Sequence, residues 1–203
     1  MVRVPADERR RQLVEAALVV ASREGVDAAT TRRIAKEAGV SLGIVHYCFR
    51  SKAELLQEMI KAIVDEMGSS VQLATLRKGD VRTVLQAGLD NLWQTVGSAP
   101  ERHLLTYELT AYTLRQGMTE LTEWLYECYF QTSRAFLESV AEAANVEWTQ
   151  PVDELAKTVV AINEGVTLQW LVDRDPKAVQ LRYETFLDYL AGQTRRARRR
   201  ATG

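Results

Sequence analysis

The residues of this chain whose types and spacing could support chemistry fall into two sets. The first lies in 30–52, TTRRIAKEAGVSLGIVHYCFRSK, where Arg32, Arg33, Arg50 and Lys52 stand at helix starts or turns and His46 and Tyr47 lie between them. Cations so placed can reach phosphates together with the helix dipoles. The second set is Trp93, His103, Tyr107, Glu108, Trp124, Cys128 and Asn163. It has the mostly apolar, sparsely polar make-up of a small-molecule cavity between helices, although aromatics at helical spacing also build a plain core. Glu108 among aromatics would suit a cationic ligand through its charge and the ring faces. Catalysis is poorly provided for: there is no nucleophile elbow, phosphate loop or H-E-x-x-H, and His46-Tyr47-Cys48 lacks the ligand spacing of a zinc site. His103 and Glu108 could do acid–base work only if folding brought them together. Neither a catalytic residue, a metal nor a cofactor is expected, and Cys48 and Cys128 cannot make a disulfide framework.

The elements that must position these residues are helices. The 203 residues include 4 Pro and 11 Gly, and the apolar positions recur with helical rather than alternating period. Leu13, Ala16, Ala17 and Val20 mark an amphipathic helix from about residue 7 to residue 24 that Gly25 ends. Thr30 or Thr31 can cap a second helix running to Ala38, and Ser41 a third from Leu42 to Cys48. Ser51-Lys52-Ala53-Glu54 reads as a capping box opening a fourth helix to Val71. Further helices are expected at 81–97, 101–115, 118–145 and 153–172, with Asp175-Pro176 opening a ninth.

Charge is divided along the chain. The formal net charge of −1 conceals 10 Lys and Arg against 6 Asp and Glu in residues 1–52, 11 against 21 in 53–192, and 5 against none in 193–203. A basic first quarter on an acidic body suits one end meeting a polyanion. No apolar run approaches the roughly 20 residues of a membrane span, and the first eight residues lack the apolar stretch of a signal peptide. A cytoplasmic location without a membrane partner is the expectation.

Ala35, Gly39 and Val45 have the sizes a helix-turn-helix needs at that spacing: a small residue where two helices pass, Gly at the turn, and a β-branched residue anchoring the third helix. Ile34, Val40 and Phe49 would complete a small core with Leu13 and Ala17. The spacing alone also fits an ordinary helical hairpin, and a helical protein–protein adaptor would use similar apolar stripes. What favours the DNA reading is the coincidence of spacing, caps and positive charge. Leu42, Gly43, Ile44, His46 and Tyr47 then occupy a short, open helix sized for the major groove.

From Thr30 to Leu56, through IAKEAGVS, Gly43, Tyr47, Phe49, SK and LL, the chain resembles the N-terminal domain of the tetracycline-repressor (TetR) family of transcriptional regulators. The resemblance implies an all-α, nine-helix, two-domain homodimer: a helix-turn-helix domain (1–52) on a palindromic double-stranded operator, an effector-binding and dimerisation domain (53–192), and a basic, disordered tail (193–203). It places DNA-facing positions on Thr30, Arg32, Ser41, Leu42, Gly43, Ile44, His46, Tyr47 and Lys52, with Tyr47 and Lys52 as phosphate contacts. Leu42 and His46 depart from the polar residue and the Tyr frequent there, so base reading would rest on thymine methyls and one imidazole; His46 could equally be an exposed residue without a base contact. A small-molecule effector would release the operator, with the fourth helix as lever.

Two stripes suggest a dimer face: Leu155, Val159, Ile162, Val166 and Gln169 in one helix, and Val179, Tyr183, Phe186 and Leu190 in the next. The same stripes could instead close the core of a single chain. Gly165 is expected to mark a close helix approach. The terminal arginines fit a solvated tail or an auxiliary phosphate contact.

Overall fold

The computed structural model describes residues 5–72 and 79–197. Among these it contains nine α-helices: α1 (Ala6–Glu24), α2 (Thr31–Glu37), α3 (Leu42–Cys48), α4 (Lys52–Gln72), α5 (Val81–Ser98), α6 (Pro100–Arg115), α7 (Thr119–Ala144), α8 (Val152–Asp173) and α9 (Pro176–Gly192). A single 3-10 turn, Val26–Ala28, follows α1. The expected all-α, nine-helix architecture is therefore the one found among the described residues.

The chain forms two compact units. One comprises Met1–Glu66 with Ala99–Leu125, the other Met67–Ser98 with Tyr126–Gly203. In the first, α1 packs on α2, α3 and α6, and it buries Val14 and Leu18 as well as the expected Leu13, Ala17 and Val20. Gly25 takes φ +88°, and its N–H donates to Ala21 O as the helix ends. Such a left-handed φ is cheap only without a Cβ.

In the second unit α9 packs against α5 and α8. Here the expected dimer stripes meet a different fate. Leu155, Val166, Val179, Tyr183, Phe186 and Leu190 are buried in this unit's own core, Val159 packs partly buried against it, and Ile162 and Gln169 are exposed. Helical periodicity identifies a face that must be covered, and in this chain α5, α7, α8 and α9 cover one another. The glycine expectation also moves: a Cβ at Gly165 would meet nothing within 4 Å, whereas one at Gly88 of α5 would overlap the Phe136 ring of α7.

Within the segment 193–203, expected as a disordered tail, Thr194–Arg196 form a strand. Asn145, at φ +53°, turns the chain out of α7 into β1 (Val146–Trp148), which pairs antiparallel with β2 (Thr194–Arg196) in the register Glu147 to Arg195. Arg195 Nη2 lies 3.0 Å from Glu147 Oε2, and Trp148 Nε1 donates to Leu137 O at 2.9 Å, fixing the ribbon to α7. Three residues per strand are too few to show an alternating pattern in sequence. Arg198, Arg199 and Arg200 lie outside the described residues, as does Lys78 of the expected break before α5.

Candidate nucleic-acid interface

The interface is assembled from α2 and α3. Thr30 Oγ1 accepts from Arg33 N at 3.3 Å and so satisfies a first-turn N–H of α2. Gly39, at φ +65°, reverses the chain, and the Val40 N–H donates back to Ala35 O at 3.0 Å. Ser41, expected as a side-chain cap, makes no such bond; Ile44 N instead donates to Ser41 O at 3.0 Å.

Within α3 the anchor is Val45, which is fully buried, and Phe49 follows it into the core. Ile44 and Cys48 are half-buried, while Leu42, Gly43, His46 and Tyr47 face outward, Tyr47 with 83% of its surface exposed. A Cβ on Gly43 would meet only Ser41 Oγ, at 3.9 Å, so nothing within the chain requires glycine there. Ile34 and Ala35 are buried as the helix-turn-helix spacing anticipates, with Val40 half-buried.

Two ionic clamps fasten this pair of helices to α1. Arg10 Nη1 donates to Cys48 O, the last carbonyl of α3, at 2.6 Å; Nη2 donates to Glu54 Oε1 of α4 at 2.8 Å; and the guanidinium lies 4.6 Å from the Phe49 ring centroid. Glu54 also accepts from Arg50 N at 2.7 Å, and its N–H donates to Ser51 Oγ at 3.1 Å, so the anticipated capping box forms with its carboxylate one residue further back. The Arg50 N–H first, and Arg10 second, hold the Glu54 carboxyl below its usual range. At the other end, Arg33 donates to Glu24 at 2.6 and 3.1 Å and to Glu37 at 3.1 Å, while Arg23 bridges the same two carboxylates. Hydrogen bonds from Arg33 and Arg23 pull the Glu24 carboxyl down to about 2. Arg33, a phosphate candidate by sequence, is thus taken up in fastening α2 to α1, whereas Arg32 is exposed.

Lys52 opens α4 with its ammonium 4.6 Å from the Tyr112 ring centroid and 3.9 Å from Asp27 Oδ1. Four residues earlier on α6, Glu108 Oε2 accepts the N–H of Val26 at 3.3 Å. One face of α6 therefore touches both the α1–α2 connection and the start of α4.

The cavity residues named from sequence divide between the units. His103, Tyr107, Glu108 and Trp124 lie in the first, and Trp93, Cys128 and Asn163 in the second. His103 Nε2 is 3.5 Å from the Tyr107 hydroxyl, and burial pushes its pKa down to about 4. Glu108 accepts the Val26 N–H. In the second unit Trp93 meets Trp170 edge-on with centroids 4.9 Å apart, Asn163 Oδ1 accepts from the Tyr183 hydroxyl at 2.7 Å, and the Cys128 carbonyl accepts from Thr132 at 2.9 Å. Glu164 Oε1 accepts from the Tyr126 hydroxyl at 2.8 Å, and the Tyr126 ring in turn meets those of Tyr129 and Phe130. Spacings of three and four from Tyr126 were the available signal; that Glu164 would join them was not readable from sequence.

A buried-anchor helix presented by a clamped three-helix unit is the architecture of a helix-turn-helix transcriptional regulator. Residues 13–59 match the family model of bacterial regulatory proteins, tetR family. The chain is 30% identical over 178 residues, 87% of its length and 91% of the relative's, to the HTH-type nicotine-responsive transcriptional repressor HdnoR of Paenarthrobacter nicotinovorans. It is 28% identical to the HTH-type transcriptional regulator BetI of Escherichia coli, over 83% of this chain and 85% of that one. A crystal structure of a transcriptional regulator from Rhodococcus sp. Rha1 shares the fold with a TM-score of 0.76 at 20% identity, covering 91% of this chain and 97% of its own. The chain belongs to the TetR family of transcriptional regulators and is not an enzyme. No helix among the described residues is long and apolar enough to cross a membrane.

Proposed function

We propose that this chain is a repressor that binds an inverted-repeat operator as a homodimer and leaves it when each protomer takes up a small-molecule effector. The observation that carries the reading is α3, where one fully buried side chain, Val45, holds a helix whose Leu42, Gly43, His46 and Tyr47 face outward. Gly43 has no internal reason to be glycine, which suits a backbone that must come close to DNA. Thr30, Arg32, Ser41, Ile44, Tyr47 and Lys52 supply the remaining contacts, with Leu42 and His46 reading base edges. Phosphate would draw the Lys52 ammonium from the Tyr112 ring, so α6 competes with DNA for that cation.

The dimer uses the faces of α8 and α9 that the core leaves open: Ile162, Leu168 and Val172 on one, Leu181 and Tyr189 on the other. Gly165 lies in the middle of the α8 strip with open space beside it, so a second copy can approach closely there. The relative named as a nicotine-responsive repressor supports an effector-released repressor. Release requires the effector to bind the DNA-incompetent arrangement more tightly than the competent one.

Fluorescence anisotropy with duplex DNA selected from a random pool tests this. The wild type is expected to bind in a salt-sensitive, sequence-specific way, with Arg32→Ala and Lys52→Ala each lowering the salt slope by about 1. Salt-insensitive or sequence-independent binding would overturn it.

A further inference from the structure

We propose that the face of α7 carrying Tyr126, Tyr129 and Phe130, with Glu164 of α8 held by the Tyr126 hydroxyl, binds organic cations, that is, an amine or quaternary ammonium with an apolar body. The proposal rests on the repressor reading for its biological meaning, since this would be the effector site. Its physical basis is independent of that reading.

The three rings occupy neighbouring positions on one helix. Tyr126 meets Tyr129 with centroids 5.8 Å apart at 63° and Phe130 with centroids 6.0 Å apart at 62°. Rings inclined in this way present π faces in different directions rather than stacking shut, and all three side chains are only half-buried. An aromatic face attracts a cation through its quadrupole, and a carboxylate held by one ring of the cluster adds its own charge to that attraction. The Tyr126 hydroxyl donates to Glu164 Oε1 at 2.8 Å, which fixes the carboxylate at the hydroxyl edge of that ring.

Burial raises the Glu164 carboxyl above its usual range, with the Tyr126 hydrogen bond acting in the opposite direction. An ammonium seated there would favour the ionised form in a medium where the attraction is stronger than in water. An anion would be repelled. A neutral apolar molecule would gain the ring contacts but would further desolvate the carboxylate without compensating it. Charge on an apolar body is therefore the chemistry that the constellation discriminates.

Isothermal titration calorimetry on the full chain, with benzyltrimethylammonium, its neutral isostere neopentylbenzene and benzenesulfonate as probes, tests the inference. The ammonium is expected to bind about tenfold or more tightly than the isostere, with no heat from the sulfonate. Glu164→Gln should erase the difference, and Tyr129→Leu with Phe130→Leu should weaken the ammonium while sparing the isostere. Thermal melts verify that each variant is folded, and the ring variant serves if Glu164→Gln is not. Equal binding of ammonium and isostere, no ammonium binding, or an unaltered preference in the folded variants would overturn the proposal. Operator binding by the wild type is measured in parallel. DNA binding without ammonium preference defeats this inference alone, and ammonium preference without DNA binding defeats the repressor reading alone.

Discussion

Replacing Arg10 with Met would loosen the recognition helix without removing any group that faces outward from it. The Met side chain approximates the aliphatic stem and abolishes three things: the charged donor to Cys48 O at 2.6 Å, the guanidinium over Phe49 at 4.6 Å, and the pairing with Glu54 at 2.8 Å and Glu58 at 3.5 Å. A hydrogen bond from a charged donor contributes about 1.5–3 kcal/mol, a cation–π contact about 0.5–1 kcal/mol, and ion pairs about one-third exposed under about 1 kcal/mol together. These are coupled, so the expected loss in a urea unfolding experiment is about 2 kcal/mol rather than their sum. Operator affinity should fall about tenfold as α3 loses its fixed angle, while the slope of log affinity against log salt stays that of the wild type, because Arg10 holds a helix and not a phosphate. Lys52→Met is the contrast, with a slope reduced by about 1. A stability change below about 0.5 kcal/mol with unaltered affinity, or a slope that falls as it does for Lys52, would refute the clamp.

Gly88→Ala places a methyl in the Phe136 ring and should cost about 1–3 kcal/mol, partly restored by Phe136→Leu; an unchanged melting temperature would mean that α5 and α7 are not tightly apposed. Stability should fall on acidification in two windows. His103 has a folded pKa of about 4 against 6.5 unfolded, so the unfolded chain takes the proton first; the benefit of burying it neutral is complete above pH 6.5 and is lost towards pH 4, about 3 kcal/mol at most. His103→Phe should flatten that limb of urea stability against pH, and an unaltered limb would mean that another group causes it. Glu24, lowered to about 2 from 4.5, stabilises fully above pH 4.5 and loses that contribution as pH falls towards 2, which thermal melts of Glu24→Gln should show as a shallower acid limb. Leu168→Glu with Leu181→Glu should give a folded monomer by light scattering, whereas Leu155→Ala should cost about 2–5 kcal/mol because that residue fills this chain's own core.

Much of the fold was legible because its signals are local. Gly25, Gly39, Thr30 and the Ser51 to Glu54 box act within a few residues of themselves, and the spacing of Ala35, Gly39 and Val45 specifies a turn whose partners are near in sequence. Features that depend on distant partners were not legible. The stripe Leu155 to Val166 announces that a face is covered, but whether by α5 and α9 of the same chain or by a second copy is a tertiary fact. Glu108 and Glu164 show the same limit: both are carboxylates near aromatics in sequence, yet one caps Val26 and the other lies against Tyr126. In sequence Arg33 is indistinguishable from a phosphate ligand; Glu24 and Glu37, which engage it, belong to its tertiary surroundings.

The central claim, that two copies of α3 read duplex DNA, is tested most directly by selecting binding sites from a random duplex pool and sequencing them with the wild type and with His46→Ala. The account predicts an inverted repeat whose half-site centres lie about one helical turn, roughly 10 base pairs, or a multiple of it apart, with base preference relaxed at symmetric positions in the variant. An asymmetric site, or no enriched sequence at all, would contradict it.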